Sequence, residues 1–210
     1  IISDLHERYQ NGELRSDKET VNKALSALLT ETKPLQTLRN QVDQQNEEGI
    51  EYLIDYTALI SNGLVFINTA AINNSDQDLT VDLMSYFLFA KSKDLLGQER
   101  AVLYSSFLRN ATIPEEYARY YFLQKQFADL EFQNSMLFNP ELSAMYNAAL
   151  SDARMTEVEP FQQSFEMHGL DGNYNQNAEA WFKAISNKIA LYNEVDASIS
   201  QFIIAKSEHK

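Results

Sequence analysis

The chain has 210 residues, 44% hydrophobic and 22% charged, enough to bury a substantial core. Thirty acidic residues against 17 basic ones leave a net charge of −13, which excludes nucleic acid as a partner because phosphate contacts need clustered Lys and Arg. Cysteine is absent, which removes disulfide, thiol and zinc-thiolate chemistry, and only six Gly and four Pro argue against a turn-rich all-β fold.

The pattern along the chain is helical throughout. A first helix is predicted from Ile1 to about Gln10, broken near Asn11-Gly12. Ser16-Asp17-Lys18-Glu19 reads as a capping box that reopens a helix, and Lys33-Pro34 marks its end. A polar helix is predicted over Leu35–Glu48, continuing as an amphipathic run over Ile50–Ala71 with Gly49 as a bend. Asn73-Asn74-Ser75-Asp76 is a turn and cap cluster opening a long helix from about Ser75 to Asn110. Thr112-Ile113-Pro114-Glu115 reads as another capping box. It opens an aromatic helix to about Asn134, whose Tyr117, Tyr120, Tyr121, Phe122, Phe127 and Phe132 are expected to pack in a core. Asn139-Pro140-Glu141 is the clearest start, combining cap, early Pro and an acid at the dipole. Short helices to Leu150 and over Thr156–His168 follow, then a loop at Gly169–Asn173. A last helix is predicted over Asn177–Ala205, through Trp181, Ile185, Ile189, Tyr192, Val195 and Ile199. The fold class is therefore all-α, with about eight helices forming bundles.

No stretch reaches the ~18 apolar residues of a membrane helix, and no signal peptide is visible. Both ends, Ile1-Ile2 and Phe202-Ile203-Ile204, read as cut from a longer protein. Enzyme signatures are missing: there is no Gly-x-Ser-x-Gly, phosphate-cradling Gly loop or His-Glu-x-x-His. The three histidines, His6, His168 and His209, have no metal-ligand spacing, so no metal and no cofactor is expected.

One charge stands out. Within Gly97-Gln98-Glu99-Arg100-Ala101, Arg100 lies at helical offsets from Phe89, Leu96, Leu103 and Phe107, an apolar stripe. A guanidinium there keeps its proton and needs an anion. Gly97, one turn earlier, leaves room beside it at a cost of about 1 kcal/mol to the helix. An ion pair with an acid from a neighbouring helix would satisfy Arg100 equally well. Glu99 reads as a surface salt-bridge residue. Tyr104 and Ser105, within a turn, could donate to an anion. Arg8 shares a face with Ile1, Leu5 and Gly12, and with Arg100 would complete an oxyanion clamp. Arg15, Arg109, Arg119 and Arg154 lie at helix ends or in polar surroundings and are weaker candidates.

The Gly97 to Ala101 box midway along an all-helical chain resembles the NIT family, the nitrate- and nitrite-sensing domains of bacterial receptors. Leu5-His6-Glu7-Arg8-Tyr9 stands where that family opens with Leu-Gln-x-Glu-Arg-Gly, without the Gln and with Tyr9 for the Gly. Ala180-Trp181-Phe182 stands where the family has a Trp opening its last long helix. The resemblance spans Leu5 to about Phe202. It implies two helical bundles sharing long helices, in a single extracytoplasmic sensor domain between two transmembrane helices of an inner-membrane receptor. The implied ligand is nitrate, nitrite or another small anion, held by Arg8 and Arg100 in one buried cavity, with Gly97, Tyr104 and Ser105 beside it. A parallel homodimer in the intact receptor is expected. The alternative is a ligand-free dimerisation or partner-docking module with both arginines paired internally.

Overall fold

The computed structural model describes residues 2–32 and 49–208, with side chains described for residues 6–32 and 59–208. Among them are eight α-helices: α1 (Ile2–Gln10), α2 (Glu19–Thr32), α3 (Gly49–Ile72), α4 (Gln77–Arg109), α5 (Pro114–Leu137), α6 (Pro140–Leu150), α7 (Glu159–His168) and α8 (Ala178–Glu208). Two short 3-10 turns, Ala153–Met155 and Gly169–Asp171, flank α7, and the described residues contain no strand. The expected polar helix over Leu35–Glu48 lies outside the described residues. None of the helices is long and apolar enough to cross a membrane.

The chain divides into two compact units, residues 1–84 and 85–210, with the division inside α4. In the first unit α2 packs against α3. Thr20 Oγ1 donates to Asn73 Oδ1 at 3.2 Å, and Leu28 lies beside Gly63, so the two helices run antiparallel. Asp76 caps α4 by accepting from the Leu79 amide at 3.0 Å.

The second unit holds most of the buried residues. Asn139 caps α6 as its sequence demands, its Oδ1 accepting from the amides of Glu141 and Leu142 at 3.0 Å each. The other two expected capping boxes do not form. Ser16 precedes a helix that starts only at Glu19, and the Asn22 side chain accepts from the Ser16 amide instead. Thr112 donates its hydroxyl to Glu116 at 3.2 Å, leaving α5 to open on Ile113-Pro114 without a side-chain cap. Ser16 Oγ accepts from the Lys18 amide at 3.1 Å, a turn ahead of the helix rather than a cap on it.

Two aromatic clusters fill the unit. Phe107 meets Phe165, Tyr174 and Trp181 edge-on at 5.7–6.4 Å. Further along α4, Phe89 stacks on Tyr192 at 5.2 Å and meets Tyr146 edge-on at 6.1 Å. The aromatic helix α5 is only partly inward: Tyr120 is fully buried, whereas Tyr121, Phe122 and Phe132 are exposed. Consecutive residues such as Tyr120, Tyr121 and Phe122 cannot share one face of a helix.

The loop before α8 is clamped to the end of α4. Asn173 donates its amide to Asn110 O, and Asn175 donates its own to Asn110 Oδ1, both at 3.0 Å. Gly172 takes φ +66°, and a Cβ there would meet Asn110 O at 2.9 Å. Gly172→Ala therefore combines left-handed strain with a backbone clash. It is expected to destabilise this unit by about 2 kcal/mol in urea unfolding. An unchanged midpoint would show that the clamp gives way at no cost.

Candidate functional site

Arg100 projects from α4 beside α8. The stripe expected around it is real: Phe89, Leu96, Leu103 and Phe107 are all buried. The guanidinium is half-buried at the edge of that stripe. Nη1 donates to Ser186 Oγ at 3.1 Å, and the group stands over the Phe182 ring, 4.7 Å from its centroid. Trp181 fixes this crossing by donating its indole N–H to the Arg100 carbonyl at 3.0 Å. Burial lowers the affinity of Arg100 for its proton. Among the described residues no carboxylate lies within 4.0 Å of it, although the chain has 30 acids. One turn back, the position a Gly97 Cβ would take has nothing within 4 Å. Arg100 therefore keeps donors that no carboxylate among the described residues uses.

The other arginines behave differently. Arg109 pairs with Glu116. Arg154 binds Asp152 and Glu194 at 2.8 and 2.7 Å, which holds the Asp152 carboxyl down at about 2. Arg119 donates to Gln98 Oε1 and faces Phe122. Arg8, in the first unit, is exposed and lies 3.4 Å from Glu13. Tyr104 donates its hydroxyl to Glu179 at 2.7 Å, and Ser105 Oγ accepts from Arg109 Nη1 at 2.6 Å. Tyr104 therefore has its one proton committed, while the Ser105 proton is not. His6 Nε2 lies 3.0 Å from Thr32 Oγ1, and His209 lies outside the described residues. No group of three or more His, Asp or Glu among the described residues is arranged to hold a metal.

Glu99 is a correction. It is 4% exposed, not a surface salt-bridge residue, and it accepts from Gln162 Nε2 at 2.7 Å. Burial raises its carboxyl above the ordinary range; Gln162 and Lys188 offset part of that. Lys188, on α8, is itself 8% exposed and stands 5.2 Å from the Phe127 ring centroid. Burial lowers its affinity for the proton, against the attraction of Glu99, Glu131 and Glu159. Glu131, on α5, is pushed up to about 7 by burial, with Lys188, Ser92 and Tyr192 opposing the shift. Neither Lys188 nor Glu131 was singled out by sequence. A charged residue inside an apolar stripe was the only available signal, and it also marks Arg100.

A family model described as nitrate and nitrite sensing (NIT) matches residues 2–203. No curated protein and no solved structure gives a significant match.

Proposed function

This chain belongs to the nitrate- and nitrite-sensing (NIT) family, and from that premise we propose that it is the ligand-binding domain of a bacterial transmembrane receptor in which Arg100 holds a nitrate or nitrite ion. The family is sensory and not an enzyme family. What carries the ligand reading is the state of Arg100: half-buried and without a carboxylate within 4.0 Å among the described residues. A planar oxyanion matches the guanidinium fork through two parallel charge-assisted hydrogen bonds. The Ser186 contact and the Phe182 ring hold that fork in one orientation before the ion arrives, which lowers the entropy lost on binding.

Sensing needs no bond to be made or broken. The ion only has to favour one arrangement of helices over another by its difference in affinity. The placement outside the inner membrane, the parallel homodimer and the output partner (chemotaxis machinery, kinase or cyclic-nucleotide enzyme) belong to the same proposal and rest on the family. A ligand-free docking module would instead require Arg100 to be paired within the protein, and its described surroundings offer only a serine and a ring.

The test is thermal unfolding with sodium nitrate, sodium nitrite or sodium chloride at one ionic strength. A specific ligand raises the melting temperature with its concentration, by about 2.7 kcal/mol of stability at 100 times its Kd. Equal shifts with chloride would overturn the reading, because a generic salt effect does not distinguish the anions.

A further inference from the structure

Lys91 is a cation that the Arg100 site does not use. It stands on α4 in the second unit, half-buried, and among the described residues no carboxylate lies within 4.0 Å of it. Asp94, one turn on, feels its charge but accepts from Gln98 Nε2 at 2.7 Å. Lys91 lines a cavity of ≈ 160 Å³ between α4 and α5, open to solvent on one side. Leu88 and Leu95 of α4 pack on Leu123 and Leu130 of α5, and Leu130 is the apolar part of the cavity wall. The rest of the wall is Gln126, Asp129 and Gln133, which share one face of α5 with Leu130. Neither glutamine makes a side-chain hydrogen bond among the described residues. Asp129 meets Lys125 only through Oδ2, at 3.2 Å, in a pair whose side chains are both largely exposed.

We propose that this cavity is a second ligand site that takes a small zwitterionic amino acid, its carboxylate on the Lys91 ammonium and its own ammonium on the Asp129 carboxylate. The wall carries one full charge of each sign, on different helices. A simple anion would gain Lys91 but meet repulsion from Asp129 and from the net charge of −13. A simple cation would gain Asp129 and be repelled by Lys91. A ligand with both charges satisfies both groups through charge-assisted hydrogen bonds, and its neutrality frees it from the field of the whole protein. The carboxamides of Gln126 and Gln133 each carry donors and an acceptor, so they serve either end. Leu130 offers a short aliphatic side chain an apolar contact. The volume suits a small amino acid and lies below that of a drug-sized pocket.

Two opposite charges on one wall would ordinarily pair with each other, and here they stay more than 4.0 Å apart. Asp129 turns instead to Lys125, four residues back on its own helix. Such an exposed pair is weak, so a ligand ammonium displaces it at little cost. The site is also separate from Arg100. Arg100 faces α8 through Ser186 and Phe182, whereas this cavity lies between α4 and α5. At about 100° per residue, the nine positions from Lys91 to Arg100 bring the two side chains to opposite sides of α4.

Calorimetric titration of the 210-residue chain with glycine, L-alanine and L-serine tests this, beside sodium acetate and ethylammonium chloride at equal ionic strength. The expected result is saturable binding of at least one of the amino acids. Acetate and ethylammonium, which carry one end each, should bind more weakly by roughly tenfold or more. Lys91→Gln and Asp129→Asn keep the side-chain size at positions open to solvent, and each should weaken the amino acid by roughly tenfold or more. Lys125→Gln, which frees Asp129 from its exposed partner, should leave affinity equal or higher. Arg100→Ala should leave it unchanged, so this site and the nitrate reading can fail separately. No saturable heat from any of the three amino acids would overturn the proposal. So would full affinity in Asp129→Asn, or acetate binding as tightly as the amino acids, which would leave an anion site at Lys91.

Discussion

Arg100→Ala is expected to abolish nitrate-induced stabilisation while leaving the unliganded protein within about 1 kcal/mol of wild type. The sign of the second half follows from what Arg100 touches. Removing it forfeits a hydrogen bond to Ser186 and the contact with Phe182, each about 1 kcal/mol. It also relieves the burial that disfavours the charged guanidinium, and the two effects oppose each other. Had Arg100 been paired with a buried acid, its loss would strand that acid at a cost of about 3–5 kcal/mol. The first half is the larger effect. Stabilisation of about 2.7 kcal/mol near saturation corresponds to roughly 5–10 °C in a chain of this size. Trp181 is the only tryptophan, and it is buried in the unit that holds Arg100, so its fluorescence reports the unfolding of that unit. Arg100→Lys keeps the charge and loses the fork, and should retain only part of the shift. The same titration with Arg8→Ala tests the second arginine on its own. A nitrate shift that survives in Arg100→Ala, or severe destabilisation of the ligand-free variant, would remove Arg100 from the site.

The helices were legible because their boundaries carry local chemistry. Asn139 bonds to amides two and three residues on, and Asp76 does the same at the start of α4, so neither needs tertiary context to be read. The failed capping boxes at Ser16 and Thr112 are different. Ser16 Oγ accepts from the Lys18 amide before the helix begins, and Thr112 turns its hydroxyl to Glu116, local alternatives that the four-residue pattern does not distinguish from a capping box. The helix expected from Thr156 opens only at Glu159, after tight turns in which the Thr156 amide donates to Ala153 O and the Glu159 amide to Thr156 O.

Of the candidate site, the sequence marks Arg100 and misses the buried charges near it. Arg100 announced itself by standing on an apolar stripe, and the open space at Gly97 could be inferred from the absence of a side chain. Glu99 and Lys188 were missed for one reason. The stripes on α4 and α8 are wider than the single rows read from sequence. On α8 the row was drawn through Ile189, which is half-buried, while Lys188 at its side is buried. Periodicity gives a charged residue the outward side of such a row, because burying an ion costs several kcal/mol. That cost is reduced here by partners from other helices, Gln162 for Glu99 and the carboxylates for Lys188. Residues so distant in sequence leave no local trace of their pairing.

Glu131→Gln is expected to stabilise the second unit by about 3 kcal/mol at pH 8 and by far less at pH 5. The carboxyl titrates at about 7 in the folded protein against an ordinary 4.5. At about 1.36 kcal/mol per pH unit that difference amounts to about 3 kcal/mol. The sign follows from proton counts. Between pH 4.5 and 7 the folded state binds more protons at Glu131 than the unfolded state does. Unfolding free energy therefore falls as pH rises through this window and levels off above it. Glutamine keeps the shape and carries no charge, so the variant escapes that loss and should be nearly level across the window at this site. The measurement is urea unfolding followed by Trp181 fluorescence at pH 5 and pH 8, in sodium buffer without amines. A variant that is less stable than wild type at pH 8, or that differs from it equally at both pH values, would show that the Glu131 charge is well compensated by Lys188. The predicted gain also bears on why the residue is acidic. A buried charge that Lys188 offsets only in part weakens the fold at neutral pH, and such a residue persists because selection removes only changes that fall below the stability a protein needs.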